Sequence, residues 1–175
     1  MKKSLAFWQF GGFVFTGVLG TLLHFIYEWT NSISVALFSA VNESTWEHMK
    51  ILFFPMLVFT IIENRYLSKD YQNFWCVKLI GILIGLAVIP ILYYTYTGAL
   101  GVSADWFNIA IFFIATAISY VTETKLLKGK KTCQLSTVAV FVILFIITVL
   151  FVVFTFNPPK IPLFIDPVSK FYGIM

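Results

Sequence analysis

The sequence predicts an all-α fold, a polytopic bundle of five transmembrane helices in a single domain spanning residues 1–175. Three observations carry this. Hydrophobic residues make up 59% and charged residues only 11% of the chain, where a soluble globule carries about 25% charge. The apolar residues fall in uninterrupted blocks instead of one-sided stripes, so lipid is the expected neighbour. Several of these blocks reach the roughly 20 residues that a hydrocarbon core about 30 Å thick demands.

The first block, residues 5–27, follows Met1-Lys2-Lys3. It resembles a signal peptide, but it exceeds an h-region of about 7 to 15 residues and lacks a small-residue cleavage pattern, so it reads as a retained span. The next spans are expected at about 45–64, 74–96, 105–123 and 135–156. The connector from Gly98 to Ala104 is too short for anything but an antiparallel hairpin. Between the first two spans, Ile33 to Val41 is apolar yet too short to cross; it reads either as a short re-entrant or interfacial segment or as an ordinary hydrophobic loop.

Basic residues set the expected orientation. Lys2 and Lys3, then Arg65 and Lys69, then Lys125, Lys128, Lys130 and Lys131 fall on one side, which the positive-inside rule assigns to the cytoplasm. The N-terminus is then cytoplasmic and the tail, residues 157–175, extracytoplasmic. The net charge of +4 reflects this topology; no basic stripe suggests nucleic acid. Cys76 and Cys133 have no metal-type spacing and give no basis for a disulfide framework.

In this orientation Glu28, Glu43, Glu47, Asp105 and Asp166 lie in the outer half with both histidines, His24 and His48. Only Glu63, Asp70 and Glu123 map to the inner side. His24 and Glu28 are four residues apart, which stacks them on one helical face. Ser44 and Glu47 have capping-box spacing and mark a helix start. The uncharged stretch from Ile51 to Ile62 is short, about 18 Å at 1.5 Å per residue. Charged residues at its ends are therefore expected to face protein or water at hydrocarbon depth, and to pair across spans one and two.

Other features have packing explanations. Gly12, Thr16 and Gly20, and separately Gly81 and Gly85, suit close helix contacts. Lys78 is expected to snorkel to the inner surface. Trp8, Trp29, Trp46, Trp75 and Trp106 sit near span ends, as interfacial anchors do. The proline-punctuated tail retains Ile161, Leu163, Phe164, Phe171 and Tyr172, so it reads either as folding over the outer mouth, which would bring Asp166 to the cluster, or as a loosely bound interfacial tail.

The segments HFIYEW (residues 24–29), VNESTWEHMK (41–50) and FIDPVSKFYG (164–173) together resemble a family of small bacterial multi-pass membrane proteins of unassigned activity. The resemblance implies a bacterial plasma-membrane location and no particular reaction.

Three functional readings follow. In the first, His24, Glu28, Glu43 and His48 supply ligands to a divalent metal such as zinc, which needs three protein ligands and an open position for catalysis. Glu47 and Asp166 are then the candidate catalytic carboxylates, and the expected activity is hydrolysis of membrane lipid or a lipid-linked substrate at the outer leaflet. Adjacent Glu47 and His48 point about 100° apart, so they do not share one ion. In the second, the same cluster binds or carries a cation or small solute, alone, as a homo-oligomer or as a subunit of a larger membrane complex. In the third, it is a polar clamp between helices in a structural or accessory protein.

Overall fold

The computed structural model describes residues 5–71, 73–129 and 133–174. The chain forms α1 (Leu5–Thr30), a single turn α2 (Ile33–Ala36), α3 (Thr45–Leu67), α4 (Phe74–Leu100), α5 (Asp105–Lys128), α6 (Thr137–Phe156) and a 3-10 turn (Pro162–Phe164). Five of these helices are long and apolar enough to cross a membrane. Among the described residues the β structure is confined to an antiparallel bridge between Ile165 and Tyr172. Lys2, Lys3, Lys130 and Lys131, part of the charge pattern used for orientation, lie outside the described residues.

Local chemistry sets the helix ends. Ser44 accepts the Glu47 amide at 3.4 Å to start α3, and Ser136 accepts the Ala139 amide at 3.2 Å to start α6. Each satisfies one of the amides that a helix N-terminus leaves orphaned. α4 stops at Gly101, whose φ of 70° lies in the left-handed region that glycine enters without a Cβ clash.

α3 is the central helix, packed by α1 and α4 and crossed by the 3-10 turn, while α4 and α5 form the most extensive pair. Composition explains the placement. The most apolar window of α3 has a mean hydropathy of only 1.3 and is 67% buried, whereas that of α6 has 3.2 and is 17% buried. A helix sheathed in protein can carry polar side chains; one facing lipid cannot. Small residues allow the sheath to close. A Cβ on Gly12 would meet the Tyr120 ring at 2.4 Å, and one on Gly20 would meet Phe112 at 2.5 Å, so α1 reaches α5 only because these positions are glycine.

α2 belongs to a segment that turns back onto the end of α1. Ala40 N donates to Leu23 O at 3.1 Å, and the Ser39 hydroxyl donates to Leu23 O while accepting the Tyr27 amide. The tail returns across the same end of the bundle: Phe164 packs its ring 4.8 Å from Trp46, and Asn42 Nδ2 donates to Gly173 O at 2.9 Å.

Three side-chain expectations are corrected. Lys78 does not snorkel; it is buried and paired with Glu63 and Glu123, because two carboxylates within reach compensate the buried ammonium. Trp8 and Trp46 are buried in aromatic contacts instead of anchoring at an interface. Cys76 and Cys133 form a disulfide between the first turn of α4 and the segment before α6, with Cα atoms 5.9 Å apart. Their separation of 57 residues gave no spacing by which to pair them.

Candidate metal centre

Three elements converge at the end of the bundle where the tail folds back. His24 stands near the C-terminal end of α1, Glu43 in the loop before α3, and His48 in the first turn of α3. One ligand atom from each falls within 4.8 Å of the other two. His24 Nε2 is 3.7 Å from Glu43 Oε1, and His48 Nε2 is 3.6 Å from Glu43 Oε2. Neither separation is a hydrogen bond. Both are slightly wider than the roughly 3.3 Å between donors held tetrahedrally at 2.0–2.1 Å around zinc.

The surrounding bonds orient the donors. His48 Nδ1 lies 2.9 Å from Ser44 O. A carbonyl oxygen only accepts, so Nδ1 carries the hydrogen, and in the neutral ring Nε2 turns its lone pair on the Glu43 carboxylate. Such a backbone acceptor behind the ring is the usual support of a metal-bound histidine. His24 is stacked on Phe25 with centroids 4.9 Å apart, and its ring meets that of His48 edge-on at 5.3 Å. Glu43 is carried by a loop fixed on both sides, since Asn42 accepts the Ser44 amide at 2.9 Å and donates to the tail at Gly173.

The three donors share a cleft of about 420 Å³. Ser103, Asp105 and Asn108 line its polar wall, and Phe25, Ile109 and Val168 its apolar one. A small pocket with room for about one water, 20 Å³, shares Glu43, His48 and Asn108 with the cleft and is otherwise lined by residues that include Tyr93 and Phe112. On the other side of His24 and Glu43, a second cleft of about 370 Å³ is lined by Glu28 and Asn31.

The remaining candidates are not part of the three-donor cluster. Glu28 lines the second cleft and is not among the clustered ligand atoms. Glu47 points away into the protein, where it pairs with Lys50 at 2.5 Å and accepts from Val41 N at 3.2 Å and the Thr155 hydroxyl at 3.2 Å. It therefore makes only half of a capping box. Asp166 is buried in the tail and organises its own turn, accepting from Val168 N at 2.8 Å and the Ser169 hydroxyl at 2.6 Å. Its neighbours Pro167 and Val168 reach the cleft. Asp105, placed by the sequence only among the outer-half acids, also lines it, with Asn108 one turn further on.

A family model covers residues 1–174. The chain belongs to DUF6512, a family of unknown function. No curated protein and no solved structure matches it. For this DUF6512 chain, then, the chemistry has to be read from the residues themselves. The three sequence segments singled out above supply His24, then Glu43 and His48, then the cleft-lining Pro167 and Val168.

Proposed function

We propose that this chain is a membrane-embedded metalloprotein that binds a divalent ion, zinc being the best match, through His24, Glu43 and His48. The observation that carries the reading is the approach of His48 Nε2 to Glu43 Oε2 at 3.6 Å, outside hydrogen-bond range, with the His48 Nδ1 hydrogen committed to Ser44 O; in the neutral ring this sets acceptor against acceptor. Two lone pairs facing each other repel, and a cation between them turns both into ligands. Two imidazoles and one carboxylate form a catalytic zinc set that leaves a coordination position for water.

The activity we infer is hydrolysis of a lipid or lipid-linked substrate. A bound zinc would supply a water activated as a nucleophile near neutral pH. Asp105, in the same cleft, is suited to accept its proton, and Asn108 to hydrogen-bond the substrate. Trp29 and Trp106 are exposed at this end of the bundle, as residues of a headgroup-level belt are. The cleft then opens at the depth of a lipid's ester or phosphodiester linkages. With the basic loops in the cytoplasm, the site faces the outer leaflet.

A proton in place of the metal is the second reading, because a doubly protonated His48 would donate to Glu43 and clamp α1 to α3. Metal analysis of purified wild type and of His24→Ala/His48→Ala decides between them. The metal reading requires about one zinc per wild-type chain and none in the double variant; a metal-free wild type that loses thermal stability in the variant selects the clamp. In a lipid-hydrolysis screen, Asp105→Asn should then keep the metal and lose turnover. A metal-loaded wild type inactive on every lipid class would leave a cation-binding or carrier protein.

A further inference from the structure

A second polar cluster lies at the opposite end of the bundle. Gln9 and His24 are fifteen residues apart on α1, about 22 Å along its axis. Here Lys78 of α4 pairs with Glu63 of α3 and, at 2.5 Å, with Glu123 of α5. Gln9 Nε2 donates to Glu63 Oε1 at 3.0 Å. The Lys78 ammonium also lies 5.2 Å from the centroid of the Tyr120 ring, and the Tyr120 hydroxyl bonds Thr16 at 2.9 Å. The three charged side chains are at most 1% exposed and Gln9 is 4% exposed.

The charges do not balance. Glu63, Glu123 and Lys78, all ionised, leave one net negative charge sealed in protein, and an uncompensated buried carboxylate takes up a proton in preference to staying charged. The hydrogen bonds carry the same deficit. Glu123 Oε1 and Gln9 Oε1 are buried without a donor among the described residues, as oxygens awaiting a hydrogen would be. The cavity is also cut to fit: a Cβ on Gly81 would sit 2.3 Å from Glu123 Oε1, so glycine at this position makes room for the carboxyl group.

We propose that this cluster is a proton-binding site, in which Glu63 and Glu123 together hold one proton across the Lys78 ammonium. The proton resides on one carboxyl oxygen while the other carboxylate remains ion-paired with Lys78. Gln9 accommodates either arrangement. Its N–H donates to an ionised Glu63, and with the amide turned over its carbonyl accepts from a protonated one across the same 3.0 Å. Among the described residues the facing titratable groups are these three and Tyr120, whose hydroxyl bonds Thr16. An ionisable site enclosed by spanning helices is characteristic of proton-coupled membrane proteins.

Infrared spectroscopy of the full chain in detergent at pH 7 tests this through the carbonyl stretch of protonated carboxylic acids and its deuterium shift. The wild type should show one protonated carboxyl from this cluster. Glu63→Gln and Glu123→Gln should each abolish it, since the remaining acid pairs one-to-one with Lys78. Lys78→Met should raise it to two. A wild type without the band overturns the proposal with no need of variants, as does a band indifferent to both glutamine substitutions. A band that appears only when sodium is withdrawn overturns it as well, by making sodium the ligand.

Discussion

His48 Nδ1 donates to Ser44 O at 2.9 Å within the first turn of α3, and this one bond decides what the other side of the ring offers. It is an i to i−4 contact built into the sequence, Ser44 being both the helix cap and the acceptor. The imidazole is thereby held with Nε2 toward Glu43 and His24 instead of toward the protein interior. The metal reading rests on that orientation.

Glu47, one residue earlier, does different work. With Lys50 it forms a buried ion pair that also engages Thr155 of α6 and the Ala36 carbonyl. Glu47→Gln leaves an ammonium unpaired in a dry site and is expected to destabilise by about 3 to 5 kcal/mol. Glu47→Gln/Lys50→Met should recover most of that loss, because it removes the charge along with its partner. Thermal unfolding in detergent measures both, and metal content per folded chain should not change in either. A double variant as unstable as the single would show that the helix contact, not the charge, is what matters.

Close helix approach gives a paired expectation on α4. Gly81→Ala drives a methyl into Glu123, 2.3 Å from its nearest oxygen, and should cost about 1 to 3 kcal/mol. Gly98→Ala on the same helix meets nothing within 4 Å. It should be neutral or stabilising by up to about 1 kcal/mol, the usual helical advantage of alanine over glycine. Equal losses in the two variants would contradict the packing account of α4 against α5.

The disulfide offers a reading of orientation. Cys76 and Cys133 lie at the end that carries Arg65, Lys69 and Lys128. If that end faces the cytoplasm, the pair is held as thiols in the cell and closes on exposure to air. Alkylation of intact cells with a membrane-permeant reagent should then trap two thiols, and an impermeant reagent none. A disulfide already closed in the cell would turn the basic end toward an oxidising compartment and the histidine cleft with it to the opposite side.

Much of this was legible in the residues, and the exceptions have a common cause. The five helices could be read because span length and apolar composition are properties of contiguous sequence. The short uncharged stretch from Ile51 to Ile62 marked the charged residues at the ends of α3 as facing protein or water, and the capping-box spacing of Ser44 and Glu47 marked its start. Partner choice could not be read. Lys78 looked like a snorkelling residue because its neighbours in sequence are apolar; Glu63 and Glu123 meet it only after three helices pack. Glu47 looked catalytic although Lys50 stands three residues on along the same helix face, because nothing in the chain order announces that Thr155 of α6 closes over the pair. Asp105 was one outer-half acid among several and gave no sign that the α4–α5 turn would carry it into the cleft with His24 and His48. Sequence fixes how far along a helix a charge lies, whereas packing fixes the direction it faces.

The most direct test of the central claim is X-ray absorption at the zinc edge on the purified, zinc-loaded chain, alongside His24→Ala and His48→Ala. The account predicts two imidazole nitrogens at about 2.0–2.1 Å with oxygen completing the shell, and one imidazole fewer in each variant. A zinc shell without imidazole, or one that both substitutions leave unchanged, would contradict it.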